Sequence, residues 1–203
     1  MDHGADVNAR SSDMLTPLII AARRQGNIAV VKFLLDHKAN PNPNAHPATE
    51  SSPLTEAVSA ADPAIVELLL SPGADAKAVG EQVLALSVEM RCPKCLTLVT
   101  AKNLDRQAYS MALPVVANLA DSNSVRIILD HGADVNAVDP LGRTPLMYAA
   151  GSDLPNLDTV KLLVERGADV NAKDSHKLGG DSGLTVLDIA KLHGDTPVVQ
   201  FLI

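Results

Sequence analysis

The sequence has few aromatic residues and no tryptophan: Phe, Tyr and Trp make up 2% of its 203 residues. Proteins that bind nucleic acids usually stack bases on aromatic side chains, so this composition disfavours that class. The formal net charge of −7 points the same way, because it opposes the long-range attraction of phosphate groups. We therefore expect no nucleic-acid partner.

Long apolar runs and cysteines are also scarce. No run approaches the roughly 18 residues that a membrane-spanning helix requires, so we expect no membrane insertion. The N-terminal residues Met1 to Gly4 carry neither the basic nor the apolar region of a signal peptide. Two cysteines are too few for a disulfide framework. These features favour a cytoplasmic protein.

What the sequence does contain is a repeated phrase. Gly132 to Ala137 reads Gly-Ala-Asp-Val-Asn-Ala, and the same residues stand at 4–9 and 167–172, with a looser copy at 73–78. The glycine and its equivalents fall at 4, 38, 73, 103, 132 and 167, which are 29 to 35 residues apart. A residue at this marker position closes a helix in a left-handed conformation, for which glycine is best and asparagine next. Asn103 therefore suits the position, whereas Lys38 should cost stability.

A second signature marks the helix starts. Thr16-Pro17-Leu18 and Thr144-Pro145-Leu146 match closely, with looser or degraded versions at 52–54, 82–84, 111–113 and 185–187. A hydroxyl residue followed by proline predicts an N-cap and the first helical residue. N-cap residues followed by apolar positions at i, i+3 and i+4 predict a second helix in each unit. The residues at those second starts are Asn27, Asp62, Cys92, Asp121, Asn156 and Asp195.

Together these signatures resemble ankyrin repeats across almost the whole chain. The resemblance implies an all-α fold, an ankyrin-repeat solenoid of about six helix–turn–helix units with short β-hairpin or loop connections. We expect a single ankyrin-repeat domain over residues 1–203, in which 1–9 form the tail of a preceding repeat. The repeats are expected at approximately 10–43, 44–78, 79–107, 108–137, 138–172 and 173–203. Both ends cut through a repeat, so we expect a fragment of a larger chain that is monomeric by itself.

The chain departs from the family pattern at several places. The histidine that follows Thr-Pro-Leu in the family is absent, which removes a hydrogen bond usual there. The segment 79–120 is the weakest match, and the few residues between Ala78 and Gln82 predict a trimmed hairpin. Stretches rich in Pro, Asn and Ser at 41–51, and in Gly and Asp at 173–183, predict extended surface loops.

The sharpest chemical candidate is the pair Cys92 and Cys95. A Cys-x-x-Cys at a helix N-terminus is the arrangement that redox enzymes use, because the helix end favours the thiolate. Half a zinc site has the same spacing, but the sequence supplies no second pair of cysteines. The simpler interpretation places Cys92 at an N-cap and turns Cys95 into the core. A possible redox pair and a purely structural pair both stay open.

Three further patterns have simpler explanations than chemistry. Gly180 to Gly183 resembles the nucleophile loop of chymotrypsin-like proteases, but no β-barrel sequence supplies the partner His and Asp. His3, His37 and His131 recur just before the marker position, where the end of the helix dipole favours them. Local hydrogen bonds to the turn backbone explain the recurrent aspartates, Asp6, Asp75, Asp134 and Asp169. We therefore expect no enzyme, no cofactor and no metal site.

The family resemblance implies a protein–protein interaction scaffold that binds a partner protein on the concave surface of hairpins and inner helices. Residues there differ from unit to unit while the framework agrees. The candidate partner-binding residues are Asp13, Arg23, Arg24, Glu89, Met90, Asn118, Leu119, Leu141, Arg143, Tyr148, Leu192 and His193. Arg and Tyr are enriched at binding hot spots, so Arg23, Arg24, Arg143 and Tyr148 rank first, together with Leu141. Two alternatives stay open: a substrate-recruiting or regulatory module of a larger enzyme or effector, and a redox-responsive scaffold.

Overall fold

The computed structural model describes residues 4–43, 51–71, 73–119, 121–152, 156–175, 183–194 and 196–203. These residues form twelve α-helices, and the β-structure among them is one isolated antiparallel bridge between Lys173 and Thr185. The all-α prediction is therefore confirmed over the described chain. None of the described helices is both long and apolar enough to cross a membrane. The helices fall into two compact units, Met1–Leu104 and Asp105–Ile203.

The first unit contains three helical pairs arranged in two layers. The first helices of the pairs, α1, α3 and α5, pack side by side, and so do the second helices, α2, α4 and α6. The bounds are α1 Pro17–Ala22, α2 Ile28–Asp36, α3 Pro53–Ser59, α4 Pro63–Leu70, α5 Gly80–Glu89 and α6 Pro93–Thr100.

The second unit repeats this arrangement. Its first helices α7, α9 and α11 form one layer and its second helices α8, α10 and α12 form the other. The bounds are α7 Arg106–Asn118, α8 Ser122–Asp130, α9 Pro145–Ala150, α10 Leu157–Glu165, α11 Val186–Lys191 and α12 Pro197–Leu202. Each unit is thus a stack of three helix–turn–helix pairs. The prediction of one domain over residues 1–203 stays a prediction.

The predicted caps begin most of these helices. Thr16 and Thr144 each accept a hydrogen bond from the backbone N–H three residues on, at 3.3 Å. Among the second helices, the carboxylate of Asp62 caps two backbone N–H groups at 3.1 Å. Asn27 is an exception, because its side-chain amide donates to the carbonyl of Ala21 instead. Asp195 lies outside the described residues.

Three helix starts differ from the expected ones, and the first is the degraded match at 82–84, which lies inside α5 because that helix already begins at Gly80. Thr196, one residue after Asp195, caps α12 by accepting from the N–H of Val199 at 3.3 Å. The degraded match at 111–113 lies in the middle of α7, which already begins at Arg106. The reason is Asp105, whose carboxylate caps the N–H of Ala108 at 2.8 Å. α7 therefore runs for 13 residues and contains a proline.

The marker position adopts the predicted left-handed conformation. Gly132 and Gly167 have φ of 88° and 89°, and the two substitutes, Lys38 and Asn103, have φ of 66° and 50°. The following N–H then bonds back to a carbonyl in the last helical turn, as Ala168 does to Leu163 at 3.0 Å. The trimmed hairpin is also confirmed, since α5 begins at Gly80, two residues after Ala78.

The core consists of Leu, Ile, Val and Ala side chains from both helical layers. Tyr109 is the largest fully buried side chain, at 2% exposure, and its ring stacks on His131 with centroids 5.1 Å apart. In a chain this poor in aromatic residues, small aliphatic side chains let the helices approach closely. The short helices derive their stability from this packing rather than from their own length.

Asparagines join the turn of one repeat to the turn of the next. Asn136 accepts from the N–H of Asp169 at 2.8 Å and donates to the carbonyl of Gly167 at 3.1 Å. In the first unit, Asn42 does the same to Asp75 and Gly73, at 2.7 and 2.9 Å. We call this pair of hydrogen bonds the asparagine bracket. Asn8 forms the bracket of the first turn, with Asn40 and Lys38.

The recurrent aspartates act locally, as predicted, by accepting from the backbone N–H two residues on. Asp134 accepts from the N–H of Asn136 at 3.0 Å, and Asp169 accepts from that of Asn171 at 2.9 Å. Asp6 and Asp75 make the equivalent bond at 2.9 Å. In the turns of Asp6 and Asp134 the carboxylate fixes the turn, and the asparagine two residues on attaches that turn to its neighbour.

Candidate functional site

Several predicted partner-binding residues occupy one recurring position, the C-cap of the first helix in each pair. Arg23 ends α1, Met90 ends α5, Leu119 ends α7 and Leu192 ends α11. Within a unit the first helices lie side by side, so these residues follow one edge of that layer. Leu192 is the most exposed of the apolar ones, at 74%. Apolar side chains that follow one edge, unlike ones scattered singly, are candidates for contact with a partner.

In the first unit, the predicted arginine already has a partner within the chain. The Nε of Arg23 lies 2.9 Å from one oxygen of Glu56 on α3, and its Nη2 lies 3.3 Å from the other. Ser51 also donates to this carboxylate at 2.7 Å. The pair ties two adjacent repeats together, which leaves Arg23 less available to a partner. Arg24 beside it is exposed.

The other candidates of the first unit are exposed but dispersed. Asp13 lies in the first turn, within 3.5 Å of the Ser12 hydroxyl. Glu89 is the last residue of α5, and Met90 after it is 39% exposed.

In the second unit, five predicted residues line one groove. The groove has a volume of about 230 Å³ and lies beside the ends of α7, α9 and α11. Its polar edge is formed by Asn118, Arg143, Tyr148 and His193. Its apolar part is formed by Met147, Gly151, Leu184, Ile189 and Leu192. Two other candidates of this unit are exposed outside it: Leu119, at 41%, and Leu141, at 48%.

A short turn places Arg143 at this groove. The carboxylate of Asp139 accepts from the N–H of Leu141 at 2.8 Å and from that of Arg143 at 2.9 Å. Gly142 has φ of 73°, and a Cβ there would lie 2.4 Å from the hydroxyl of Ser175. The N–H of Ser175 in turn donates to the carbonyl of Leu141 at 2.8 Å. This turn, residues 139–143, is therefore fixed both by its own aspartate and by the next repeat.

The guanidinium of Arg143 faces a buried carboxylate. Its Nε lies 3.7 Å from an oxygen of Asp174, whose side chain is fully buried, whereas 36% of the Arg143 side chain is exposed. The other oxygen of Asp174 accepts from the N–H of Leu184 at 2.8 Å. One side of the guanidinium is thus held against the protein, and the exposed part borders the groove.

Tyr148 is oriented by the same turn. Its hydroxyl donates to Asp139 at 2.7 Å. This hydrogen bond, with burial as a further cause, raises the pKa of Tyr148. Burial also raises the pKa of Asp139, but hydrogen bonds from Tyr148 and from two backbone N–H groups outweigh it, so that the pKa is lowered overall. At neutral pH, Tyr148 is therefore protonated and donates its hydroxyl hydrogen to the ionised carboxylate of Asp139.

Cys92 and Cys95 are joined by a disulfide. Cys92 is the N-cap of α6, and its sulfur accepts from the N–H of Cys95 at 3.2 Å. Cys92 is 6% exposed and Cys95 is completely buried, so the predicted N-cap and core positions are both confirmed. The sequence alone left open whether the two cysteines form a disulfide.

The remaining chemical patterns do not form a site in the described chain. His37 and His131 each place Nδ1 2.8 Å from the carbonyl oxygen four residues earlier, which agrees with a helix-end role. His3 and the stretch 180–182 lie outside the described residues. Among the described residues, no group of three or more His, Cys, Asp or Glu is placed to hold a metal ion.

Sequence reasoning missed the residues that support the groove. The role of Asp139 is predictable, because Asp-Pro-Leu-Gly is a typical turn sequence. The role of Asp174 is not predictable from nearby residues, because its partner Arg143 is more than thirty residues away in the chain. Leu184 follows the predicted loop and carries no pattern that distinguishes it from a core residue.

Comparisons with known proteins agree with this architecture. A family model described as ankyrin repeats, in three copies, matches residues 1–80, 83–174 and 115–203. The crystal structure of the human ASB11 ankyrin repeat domain superposes with a TM-score of 0.80 and 25% identity, covering 99% of this chain and 87% of that one.

Two curated relatives are B-cell lymphoma 3 proteins. The mouse homolog is 32% identical over 155 residues, 70% of this chain and 35% of its own length. The human protein is 32% identical over 148 residues, 66% of this chain and 32% of its own length. The chain thus spans about a third of the length of these relatives.

Proposed function

Because the chain belongs to the ankyrin repeat family, we propose that it is a scaffold that binds a partner protein through the exposed edge of its first helices and turns. In the solenoid expected of the family, this edge borders the concave surface. Arg24, Met90, Leu119 and Leu192 are the contact residues on the first helices, and Leu141 and Arg143 are those on the turn.

The observation that carries this proposal is the groove of the second unit. Five residues predicted from the family resemblance and from variation between units border the same space of about 230 Å³. The framework around them is repeated, since the same caps, left-handed turns and asparagine brackets recur from pair to pair. A constant framework with variable exposed side chains is the arrangement that a binding surface requires.

Site-specific crosslinking in the full chain tests this function. A photoreactive amino acid is placed at Leu192, Leu119 or Met90, and captured proteins are identified by mass spectrometry. Val30, at 46% exposure on α2 in the layer of second helices, is the matched control position. We expect one partner protein to crosslink at the first-helix positions in preference to Val30. Equal or no capture at all four positions would contradict the proposal.

The disulfide favours a second, smaller role as a redox-responsive element. Cys92 caps α6 in the part of the chain that matches the family least, so its state bears on the stability of that pair. Reduction by a dithiol would convert the disulfide to two thiols and the dithiol to its own disulfide. Because both sulfurs are buried, we expect slow reduction and a lower melting temperature of the reduced protein. A Cys92→Ser, Cys95→Ala variant whose melting temperature shifts equally with dithiol would reject this role.

The sequence also leaves open a substrate-recruiting or regulatory module of a larger enzyme or effector. That role would use the same exposed edge. Crosslinking of a substrate protein rather than a stable partner would distinguish it.

A further inference from the structure

The groove of the second unit has a local chemistry that differs from the unit around it. Residues 105–203 contain thirteen Asp and Glu against eight Lys and Arg, a net charge of −5. The side chains that line the described groove include Arg143 and His193 but no carboxylate. The groove therefore presents hydrogen-bond donors and a partly exposed guanidinium, whose charge is balanced by Asp174 behind it.

The carboxylates nearest to the groove are already engaged. One oxygen of Asp139 accepts two backbone N–H groups, and the other accepts the Tyr148 hydroxyl. Asp174 is buried, bonds the N–H of Leu184 and faces the Nε of Arg143. Neither carboxylate presents an oxygen to the groove as Arg143 presents its guanidinium. A ligand group placed there meets hydrogen-bond donors, among them the exposed part of the Arg143 guanidinium.

The apolar part of the groove is of side-chain size. Its volume of about 230 Å³ lies below the roughly 300–1,000 Å³ of small-molecule sites. Met147, at 1% exposure, contributes to it from the core, and Leu192, at 74%, stands at its open side. Gly151 keeps it open, since a Cβ there would lie 2.6 Å from the Cγ2 of Ile189. One bulky aliphatic side chain matches these dimensions and this lining.

We propose that this groove binds a segment of a partner protein in which a bulky aliphatic side chain lies next to an Asp or Glu. The aliphatic side chain packs on Ile189 and Leu192, and the carboxylate bonds the guanidinium of Arg143. The inference rests on the proposed protein-binding function and specifies the partner's chemistry. The net charge of −5 opposes acidic segments at long range, so recognition depends on these short-range contacts.

A random peptide library selected on the full chain tests this inference. We expect enriched peptides to carry Leu, Ile, Val or Met beside Asp or Glu. Leu192→Glu should weaken their binding about tenfold, the size of a single hot-spot loss. The matched control Val138→Glu adds the same charge at an exposed position outside the groove lining and should leave affinity within about twofold.

The carboxylate is tested separately from the aliphatic side chain. Replacing the peptide's Asp by Asn should weaken binding to the parent chain by about fivefold or more, as loss of a charge-assisted hydrogen bond predicts. His193→Glu should weaken the Asp peptide and not the Asn peptide. Arg143→Gln is read only alongside its melting temperature, because it also removes the counter-charge of Asp174.

The outcomes separate this inference from the function on which it rests. Enrichment of Lys- or Arg-rich peptides would overturn the stated chemistry. Peptides that bind equally well to Leu192→Glu would overturn the groove as their site while leaving a protein-binding scaffold intact. If no aliphatic–acidic peptide binds but the crosslinking captures a partner, the function stands and the groove inference fails.

Discussion

In the first unit, a first-helix side chain forms an ion pair with the preceding repeat. In the second unit, the side chain at the equivalent position bonds the turn of its own repeat and borders a groove. Glu56 on α3 and Tyr148 on α9 occupy matching places after the helix start. Glu56 reaches back to Arg23 of the preceding repeat, and Tyr148 bonds Asp139 of its own turn. The same repeat position thus joins two repeats in one unit and stabilises its own turn in the other.

The largest loss of unfolding free energy should come from truncating one buried leucine in the core of each unit. Leu69→Ala and Leu163→Ala remove matched leucines, each 0% exposed, and should each cost about 2–5 kcal/mol of unfolding free energy. If residues 1–203 form one domain, hydrogen exchange should accelerate in both units for either variant. Loss of protection confined to the altered unit would show instead that the two units unfold separately.

Loss of an asparagine bracket should have the next largest effect. Asn42→Ala and Asn136→Ala each remove two hydrogen bonds between adjacent turns and should cost about 1–2 kcal/mol by denaturant unfolding. Asn171 stands at the same place in the last turn, and its side chain has no hydrogen-bond partner among the described residues. Asn171→Ala is therefore the matched control, with an expected change near zero. A comparable loss in this variant would mean that the brackets are not the cause.

Tyr148→Phe and Glu56→Gln compare the two first-helix positions directly. We expect Tyr148→Phe to cost about 1 kcal/mol, because Asp139 loses a hydrogen bond. Glu56→Gln should cost less than about 0.5 kcal/mol, because solvent screens an ion pair in which the Arg23 side chain is 43% exposed. Chemical denaturation of both variants at neutral pH measures this. Equal losses would remove the distinction drawn between the two units.

The Tyr148 contribution should also depend on pH in a defined way. Since the folded pKa of Asp139 is lowered, its stabilisation is present above the unfolded value of about 3.9 and is lost as pH falls through the folded pKa. Since the pKa of Tyr148 is raised, its stabilisation is present below about 10 and is lost as pH rises through the folded pKa. The difference between parent and Tyr148→Phe should therefore be constant near neutrality and shrink at both extremes.

The smallest effect should be a gain. Lys38→Gly relieves a lysine at φ of 66° and should stabilise the chain by about 0.5–1 kcal/mol in thermal or denaturant unfolding. Asn103→Gly, at φ of 50°, should gain less, because asparagine tolerates this conformation better. A larger gain at Asn103 than at Lys38 would contradict this ranking.

The features predictable from sequence were those carried by residues close together in the chain. The left-handed marker at Gly132, the cap at Thr144 and the local aspartate bond at Asp134 each depend on neighbours within a few positions. The Arg143–Asp174 contact joins two segments that are far apart in the chain, so no local sequence pattern predicts it. The groove residues were predicted individually, but their convergence on one space required the packing of α7, α9 and α11.

The asparagine bracket has a consequence for how this chain tolerates changes in length. Each bracket binds only the turn that follows it, so it works with any repeat that presents the same backbone groups. A whole repeat could thus be duplicated or exchanged after Asn42 or Asn136 without redesigning the junction. Lys77 stands at this place in the third turn and supplies no such bracket among the described residues, so the chain can be lengthened there without breaking one.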